Sequence, residues 1–575
     1  MALCTLPRLL VLLPLLLLLH PTHGTIFHAY PTSNTTSPFC TCIQKLKAPG
    51  DECRLHAGRY FVGPDRCSLS GVHGTASSPL VVASAGDGPV VIDGTLPVGG
   101  AAAQPTWTET EDGLWSTPVG HDDDVLQLFV DGELQVLARY PNALWSDKSV
   151  FYAVENWFRS KTPGVHNLAT GEGLLRDTGK CADPSTCCAK CNTHDLAASG
   201  VDATGALAVL ELWSCDTGVE RILRHDAGGD QGAGGGAGVL HYNATWVGLC
   251  DNYRGGDGRY FLQGARSLLD GPEEWLLSKT TTTSNEILVA KRPRAGAKVT
   301  GRVSDYALMV TDTTWLIVAN LSFHATTLSA SGGTIGNITL SSLEFNYSAV
   351  SRRAVNDTSP PVGLTAWVDT TAADTTSTPT PQHTPQHTPL ARPRPPPTPP
   401  SGLVIEDVVV RYSDGPAMMV SGLKTTMKDC LFEWNDWTTV GGSWPEGVPR
   451  HGKAHRATTV WVDDDAGARL RYLTFRNNGA AQSINAAGAI SHVQPGCAAP
   501  LVEMCSFSSQ LAIQDDGSFV EGGGARSTTY IRNWATDSGK GGLRWDGYVG
   551  RCKAWWCVVS CVVLRVEIYK GRYTL

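Results

Sequence analysis

The chain is poor in charged residues and has no surplus of positive charge. Of its 575 residues, 17% are Asp, Glu, Lys or Arg, against an average of about 25% in soluble proteins. The formal net charge is -8, and the lysines and arginines are scattered along the chain. Binding to nucleic-acid phosphates requires a basic field. We therefore do not expect nucleic acid as a partner.

Long apolar runs are missing outside the N-terminus. The apolar run at residues 9–19 follows Arg8 and precedes small residues around Gly24, which is the three-part layout of a secretory signal peptide. It is shorter than the about 20 residues that a transmembrane helix needs, and no internal segment reaches that length. We assign residues 1–24 as a signal peptide and predict a secreted, extracellular protein with no transmembrane segment.

Two common catalytic motifs and a defined metal loop are also missing. The sequence has no G-x-S-x-G nucleophile motif, which argues against a catalytic triad, and no glycine-rich phosphate-binding motif. The acidic run at residues 463–465 offers oxygen ligands but lacks the spacing of a calcium loop, so a solvated turn is its simplest interpretation. We predict no required cofactor and leave calcium open.

Cysteine, by contrast, is abundant. All 17 cysteines except Cys4 follow the signal peptide, and tight groups of this kind are typical of disulfide-bonded exported proteins. Spacing does not determine the pairing. The four cysteines at residues 181–191 form one such group, and a zinc knuckle with His194 is the alternative to disulfides there. An oxidising compartment disfavours that alternative. The candidates for disulfides are Cys40, Cys42, Cys53, Cys67, Cys181, Cys187, Cys188 and Cys191.

Six N-x-S/T sequons could be glycosylated on the secretory route. Chance is the alternative for each, because serine and threonine are abundant. The six asparagines are Asn34, Asn243, Asn320, Asn337, Asn346 and Asn356.

Short β-branched and aromatic segments recur from residue 338 onward, bounded by Gly, Asn, Asp and Ser and without a helical period. They lie at 338–345, 404–412, 427–432, 470–475, 502–507 and 530–534. Such spacing matches one or two turns of a solenoid whose coils stack in parallel about 4.8 Å apart. The sequence predicts an all-β, right-handed parallel β-helix with loop insertions, in which Phe432, Phe475 and Phe507 are core residues. The β-sandwich alternative would need regular hairpin turns, which the sequence does not show consistently.

Two biased segments and a divergent tail divide the chain. The Thr/Pro-rich residues 370–402 cannot join a sheet ladder, so we expect an extended insertion or linker there. A glycine-rich insertion covers residues 228–238. We predict the N-terminal part of the β-helix, with Cys-rich and Gly-rich insertions, at 25–369, further coils at 403–551, and an atypical tail, either truncated or capping, at 552–575.

Several motifs resemble those of pectin-lyase-like β-helix proteins. The Pro-Gly-Asp turn at residues 49–51, followed by a strand that ends in Tyr60, is similar to the first strand of that fold. Further motifs, in the same order as in secreted carbohydrate-active members, are Val91-Ile-Asp-Gly94, Leu128-Phe-Val-Asp-Gly132, Ala138-Arg-Tyr-Pro-Asn142 and Leu269-Asp-Gly-Pro-Glu-Glu-Trp275. The last motif usually has glycine where this chain has Glu273. The resemblance spans about residues 40–550 and implies a carbohydrate-active β-helix protein, but it marks architecture more than activity.

Two carboxylates near the C-terminal coils are the predicted catalytic residues. Residues 513–517 and 543–547 both close on Asp-Gly, and on adjacent coils Asp516 and Asp546 would lie one rung, about 5 Å, apart. Retaining glycosidases separate their two carboxyl groups by about 5–5.5 Å. Neighbouring like charges also raise one pKa, as a general acid requires. The alternative is that Asp-Gly serves only as a turn.

Residues around this pair are predicted to bind the substrate. Arginine can hold a carboxylate or orient a sugar hydroxyl, and tryptophan can stack on a sugar face. Trp437 and Trp461 are further stacking candidates, for which packing is the simpler interpretation. The predicted substrate-binding residues are Glu521, Arg532, Asp537, Arg544 and Trp545.

The leading hypothesis is a glycoside hydrolase that cleaves a polysaccharide through paired carboxylates. A polysaccharide lyase that eliminates across a uronic acid is the first alternative, with Arg532 or Arg544 beside calcium or another neutralising cation. A noncatalytic, glycan-binding cell-surface or matrix protein is the second. In every case we expect a monomer whose partner is a polysaccharide or glycan.

Overall fold

The structure is a computed structural model that describes most of the chain after residue 23. The described residues are 24–32, 37–64, 66–100, 105–121, 124–152, 156–177, 194, 196–213, 216–227, 238–245, 258–281, 284–350, 364–367, 402–421, 423–437, 458–463, 467–479, 482–485, 501–509, 518–521, 529–536, 543–544, 552–559 and 562–568.

The described residues are almost entirely β-strand. An α-helix at Pro38–Ile43 and short 3-10 helices at Ser149–Phe151 and Arg266–Leu268 are the helical elements among them. Within these ranges, no helix combines the length and the apolar character that crossing a bilayer requires. The all-β prediction is confirmed.

Three columns of parallel strands run through the molecule, each adding one strand per pass of the chain. The first column contains Ile26–Ala29, Glu52–Leu55, Leu80–Ser84, Thr314–His324, Gly336–Asn346, Gly402–Arg411, Lys424–Lys428, Arg469–Arg471, Leu501–Glu503, Thr529–Ile531 and Cys552–Val559. The strand Val562–Ile568 closes this column in antiparallel pairing.

The second column begins with Gly58–Phe61 and Val90–Asp93 and takes in the C-terminal halves of the three long strands of the first column. It continues with Leu431–Glu433, Thr474–Arg476, Ser506–Ser508 and Trp534–Thr536. The third column contains Cys67–Ser70, Tyr306–Thr311, Thr327–Ser331, Leu364–Trp367, Met418–Ser421, Thr458–Asp463, Gln482–Asn485, Ser518–Glu521 and Leu543–Arg544.

In seven consecutive passes, from Thr314–His324 to Thr529–Ile531, a residue with left-handed backbone forms the corner between the first and second columns. The seven residues at this equivalent position have φ between 51° and 56°, a region where Asn and Asp are tolerated better than most side chains. One such residue per pass turns the chain without ending the parallel pairing on either side. The seven are Asn320, Ser342, Asp407, Asp429, Tyr472, Met504 and Arg532.

The core lies between the columns and contains ladders of stacked side chains. The ring centroids of Phe432 and Phe475 are 4.9 Å apart, and those of Phe475 and Phe507 are 5.2 Å apart. All three side chains are buried, so their assignment to the core is confirmed. The free thiols of Cys430 and Cys505 lie in the same interior.

Mostly antiparallel sheets form the segment between Val90–Asp93 of the second column and Tyr306–Thr311 of the third column. A four-stranded sheet contains Thr95–Pro97, Gln127–Val130, Glu133–Leu134 and Val299–Arg302, and a five-stranded sheet contains Thr108–Glu109, Trp115–Pro118, Val136–Leu137, Glu274–Thr281 and Ser284–Val289. A seven-stranded sheet contains Arg139–Tyr140, Phe158–Asn167, Glu172–Asp177, Leu207–Trp213, Asp216–Asp226, Val239–Asn243 and Arg259–Gln263. We call residues 95–302 the inserted sheets. The sequence did not distinguish them from coils, because short strands and tight turns give the same local pattern in both.

Two disulfides fasten the N-terminal helix to the first coils. Cys40 bonds to Cys67 and Cys42 bonds to Cys53. These four cysteines therefore have the role that their spacing predicted. The other candidates, Cys181, Cys187, Cys188 and Cys191, lie outside the described residues.

Candidate functional site

The predicted catalytic pair, Asp516 and Asp546, lies outside the described residues, as do Asp537 and Trp545. The roles of these residues stay predictions. Of the other predicted substrate-binding residues, Glu521 pairs with Arg544 in the third column, so equivalent positions on these two rungs are 23 residues apart in sequence. Asp516 and Asp546 are 30 residues apart in sequence.

Arg532 is the remaining predicted substrate-binding residue, and it occupies a corner. Its φ is 53°, and it is exposed between the first and second columns. Trp437, a stacking candidate, is 5% exposed and packs with its ring centroid 5.6 Å from that of Trp145. Trp461 is partly exposed in the third column. Of the acidic run, Asp464 and Asp465 lie outside the described residues.

The motifs at residues 138–142 and 269–275 form one structural unit in the inserted sheets. Val136 pairs with Glu274 and Leu137 with Trp275. The Glu274 carboxylate accepts hydrogen bonds from the backbone N–H groups of Arg139 at 3.2 Å, Asp270 at 3.2 Å and Gly271 at 3.0 Å. Burial raises the pKa of Glu274 to about 7 despite these donors. This glutamate holds the two motifs together and has an architectural role.

Glu273 shows why a glycine is usual at its position. Its φ is 64°, in the left-handed region that glycine adopts without strain. The side chain accepts a hydrogen bond from the Ser146 hydroxyl at 3.0 Å. The motif therefore encodes a tight turn at this point.

The Asp-Gly pairs at residues 93–94 and 131–132 are also structural. Asp131 and Gly132 both have positive φ and connect Gln127–Val130 to Glu133–Leu134 by a two-residue hairpin turn. Asp93 accepts hydrogen bonds from the backbone and hydroxyl of Thr95 where the chain enters the inserted sheets. Both motifs therefore have a structural role, as turns of the backbone.

Two aspartates that the sequence analysis did not single out lie on adjacent rungs beyond the second column. Arg411 pairs with Glu433, and Asp414 and Asp436 each follow three residues later. The backbone N–H of Asp436 donates to the carbonyl of Ser413 at 2.6 Å, so the alignment continues past the strands. Parallel rungs lie about 4.8 Å apart. This is the one-rung spacing that was predicted for Asp516 and Asp546.

Stacked asparagines hold this turn in place. The Asn435 side chain accepts from the backbone N–H of Ser413 and donates to the carbonyl of Val410, both at 3.0 Å. One rung further on, Asn478 accepts from the backbone N–H of Asn435 at 2.9 Å and donates to the carbonyl of Phe432 at 3.0 Å. Because the asparagines are buried and hydrogen-bonded, both aspartates occupy fixed positions.

Both aspartates are buried, at 1% exposure for Asp414 and 0% for Asp436. Neither carboxylate oxygen of Asp436 has a hydrogen-bond partner within the described part of the chain. Burial, and then the charge of Asp414, raise the pKa of Asp436 to about 8. The Asp436 carboxyl is therefore largely protonated at neutral pH and can donate a proton.

Asp414 borders a cleft of about 140 Å³ between the inserted sheets and the columns. Gln127, Gln135, Trp275 and Trp437 contribute to the same lining, and the rest of it is aliphatic. A ligand site commonly combines an apolar lining with a few convergent polar groups. The cleft gives Asp414 a place where a substrate could meet it, whereas Asp436 is fully buried and is not part of the lining.

A charged ladder lies beside this turn on the outer face of the second column. Glu433 accepts from Arg411 at 2.5 Å and from Arg476, and Arg411 also donates to Glu344 at 3.0 Å. Burial opposes ionisation of Glu433, but the two guanidinium groups outweigh it and lower its pKa. Glu433 is thus an ionised structural carboxylate, unlike Asp436.

A sequence signal for the pair was present. Residues 411–414 read Arg-Tyr-Ser-Asp, and residues 433–436 read Glu-Trp-Asn-Asp. Each segment begins at the end of a strand of the recurring series. In both, a charged residue is followed by an aromatic residue, a small polar residue and Asp. Aligning the strands by their inward residues Val410 and Phe432 would have set the two aspartates on equivalent positions.

Comparison with known proteins gives a likeness of fold. No family model matches the sequence, and no curated protein matches it. A solved structure titled "Glycoside hydrolase" matches 93% of this chain and 97% of its own, with a TM-score of 0.52 and 12% identity. Another, titled "The complex structure of XylC with xylose", matches 92% of this chain and 71% of its own at a TM-score of 0.40 and 9% identity. At such identities the first likeness concerns the fold over nearly the whole chain.

Proposed function

We propose that the chain is a secreted glycoside hydrolase that acts on a polysaccharide, with Asp414 and Asp436 as its catalytic carboxylates. The observation that carries the proposal is the pair itself: two buried aspartates on adjacent rungs, with the pKa of Asp436 raised to about 8. The fold shared with a protein titled a glycoside hydrolase agrees with it. The two intrachain disulfides fit an oxidising compartment.

The architecture in this proposal is a right-handed parallel β-helix interrupted by the inserted sheets. Three parallel columns that each gain one strand per pass support a solenoid. Crossovers between parallel strands of one sheet are right-handed in nearly all proteins, which supports the handedness.

Asp436 is the general acid and Asp414 the nucleophile in the proposed reaction. The protonated Asp436 gives its proton to the glycosidic oxygen while a carboxylate oxygen of Asp414, which borders the cleft, bonds to the anomeric carbon. The bond to the leaving sugar breaks. Water then attacks the anomeric carbon, Asp436 takes a proton from it, and the bond to Asp414 breaks. A rung spacing of about 4.8 Å suits this retaining mechanism, because inverting enzymes separate their carboxyl groups by about 6.5–9.5 Å.

Asp516 and Asp546, with Glu521, Arg532, Asp537, Arg544 and Trp545 around them, remain the second candidate for the catalytic site. Their support is the repeated Asp-Gly ending in the sequence.

A variant series on the secreted protein tests both pairs. We expect Asp414→Asn and Asp436→Asn each to lower the release of reducing ends from a cleaved polysaccharide by about 10²–10⁴-fold. Asp407→Asn, at an exposed corner, is the matched control and should keep full activity. Loss of activity in Asp516→Asn and Asp546→Asn, with Asp414→Asn active, would move the site to the C-terminal coils.

The same screen separates the other readings of the fold. Reducing ends that appear together with the absorbance of unsaturated uronates would show a lyase, and calcium dependence would accompany it if a cation neutralises the uronate. Retention on a glycan without any product from the folded wild type would show a binding protein. Either outcome would overturn the hydrolase proposal.

A further inference from the structure

An apolar groove of about 240 Å³ lies on the outer face of the first column, and neither Asp414 nor Asp436 belongs to its lining. Pro79, Trp315, Ile317 and Val404 form much of its lining, and Val404 is 38% exposed. The lining also includes Asn337 and Thr339. These are the asparagine and the hydroxyl residue of one sequon, so the groove begins at a site where a sugar can be attached.

Trp315 and Asn337 occupy equivalent positions on adjacent rungs. Leu316 pairs with Ile338 and Ile317 pairs with Thr339, and the two preceding residues have φ values of 57° and 53°. The rungs are about 4.8 Å apart, which places the indole next to the attachment point. On the following rung the equivalent residue is Gly402, which has no side chain to fill the space.

The Asn337 amide is free to be modified. It is partly exposed, and no hydrogen bond joins it to another residue in the part of the chain that the structure describes. Asn320 is a useful contrast, because it is exposed at the corner between the first and second columns and does not line the groove.

We propose that Asn337 carries an N-linked glycan whose first N-acetylglucosamine sits in this groove against the Trp315 indole. In the attachment step the amide nitrogen of Asn337 displaces the diphosphate of a lipid-linked oligosaccharide at C1 of the first sugar and loses a proton. The CH-rich face of the sugar then covers the indole and the side chains of Ile317 and Val404, which removes apolar surface from water. This inference is independent of the proposed catalytic function.

The test uses the full chain secreted from eukaryotic cells, with peptide N-glycosidase as the probe. Glycopeptide mass spectrometry first establishes occupancy at Asn337 and Asn320. Release of the two glycans is then followed under native conditions and after denaturation. A seated sugar is cleaved only when it opens, so we expect native release at Asn337 to be about tenfold slower than at Asn320, with equal rates once the chain is denatured.

Trp315→Leu tests the role of the indole. In this variant, native release at Asn337 should rise to the rate at Asn320, while Thr339→Val should remove the glycan and leave a β-branched residue in the strand. An unoccupied Asn337, or equal native rates in the wild type, would overturn the proposal. Slow release that persists in Trp315→Leu would overturn the stacking. If that variant does not fold, the wild-type rates alone decide whether the sugar is seated.

Discussion

The carboxylate of Glu274 accepts a hydrogen bond from the backbone N–H of Arg139, 135 residues earlier, at 3.2 Å. With its bonds from the N–H groups of Asp270 and Gly271, this single side chain satisfies three backbone donors, of which those of Arg139 and Gly271 are buried. The contact joins two motifs that are far apart in sequence. Both belong to the same junction of the inserted sheets.

Replacing Glu274 should therefore cost stability. Glu274→Ala leaves two buried donors without an acceptor, each worth about 1–3 kcal/mol, so we expect the free energy of unfolding to fall by at least about 2 kcal/mol. Denaturant titration measures it. Glu273→Ala is the matched control, because its side chain accepts only the exposed Ser146 hydroxyl. Equal losses in the two variants would contradict the architectural role of Glu274.

The cost of Glu274→Ala should also depend on pH. Burial raises the pKa of Glu274 to about 7 in the folded chain, so the wild type loses stability as pH rises from the unfolded pKa through 7. The variant lacks this titration. The difference between the two should be larger at pH 5.5 than at pH 8.5, in denaturant titrations at both pH values.

Asp436→Asn should stabilise the protein at alkaline pH while it removes activity. The folded pKa of Asp436, about 8, is raised above the unfolded value, so its contribution to stability is full below pH 4 and is lost as pH rises through 8. An amide needs no ionisation. At pH 8.5 we expect the melting temperature of the variant to be at least about 2 °C above that of the wild type. At pH 4 the two melting temperatures should be equal. A gain of the same size at both pH values would point to a cause other than this carboxyl.

Enzymatic activity should fall at alkaline pH because of the titration of Asp414 and Asp436. In the proposed mechanism the proton on Asp436 is required for departure of the sugar, so kcat/KM should fall above about pH 8, where that proton is lost. Because the two carboxylates interact, the apparent pKa is a property of both. A profile of kcat/KM against pH measures it. A limb below pH 6 alone, with a flat alkaline side, would exclude Asp436 as the acid.

The all-β class and the recurring strands could be predicted because inward Phe and Val residues repeat once per pass. Val410, Phe432, Phe475 and Phe507 lie on consecutive rungs of one interior ladder. The inserted sheets could not, since their strands are as short and as β-branched as those of the columns. What separates them is pairing direction, which depends on long-range contacts such as the antiparallel pairing of Phe129 with Thr300.

The one-rung spacing was expected for Asp516 and Asp546, which lie outside the described residues, and the structure shows that spacing for Asp414 and Asp436. The expectation was applied to Asp-Gly endings alone, although turns favour that dipeptide wherever they occur. Burial separates a catalytic carboxylate from a turn carboxylate. The residues on either side of Asp436 contact distant partners, because Asn435 is hydrogen-bonded to Asn478 and Trp437 packs against Trp145. One strand segment does not reveal such contacts.

The two disulfides should contribute unequally to the stability of the N-terminal coils. Cys40 and Cys67 are 27 residues apart, and Cys42 and Cys53 are 11 apart. A disulfide restricts the unfolded chain more when it closes a longer loop, and the loop lengths give a difference of about 0.8 kcal/mol in favour of Cys40–Cys67. We expect the double variant Cys40→Ala/Cys67→Ala to lose more stability than Cys42→Ala/Cys53→Ala.

Denaturant titration of both double variants, with the reduced wild type as reference, measures the difference. Reduction opens both loops and keeps the side chains, so it separates loop closure from lost packing at the buried Cys42, Cys53 and Cys67. If Cys42→Ala/Cys53→Ala is the less stable variant, packing at Cys53 outweighs loop closure. In that case the chain-entropy account does not decide the stability of this end of the molecule, because the smaller loop holds the more completely buried sulfurs.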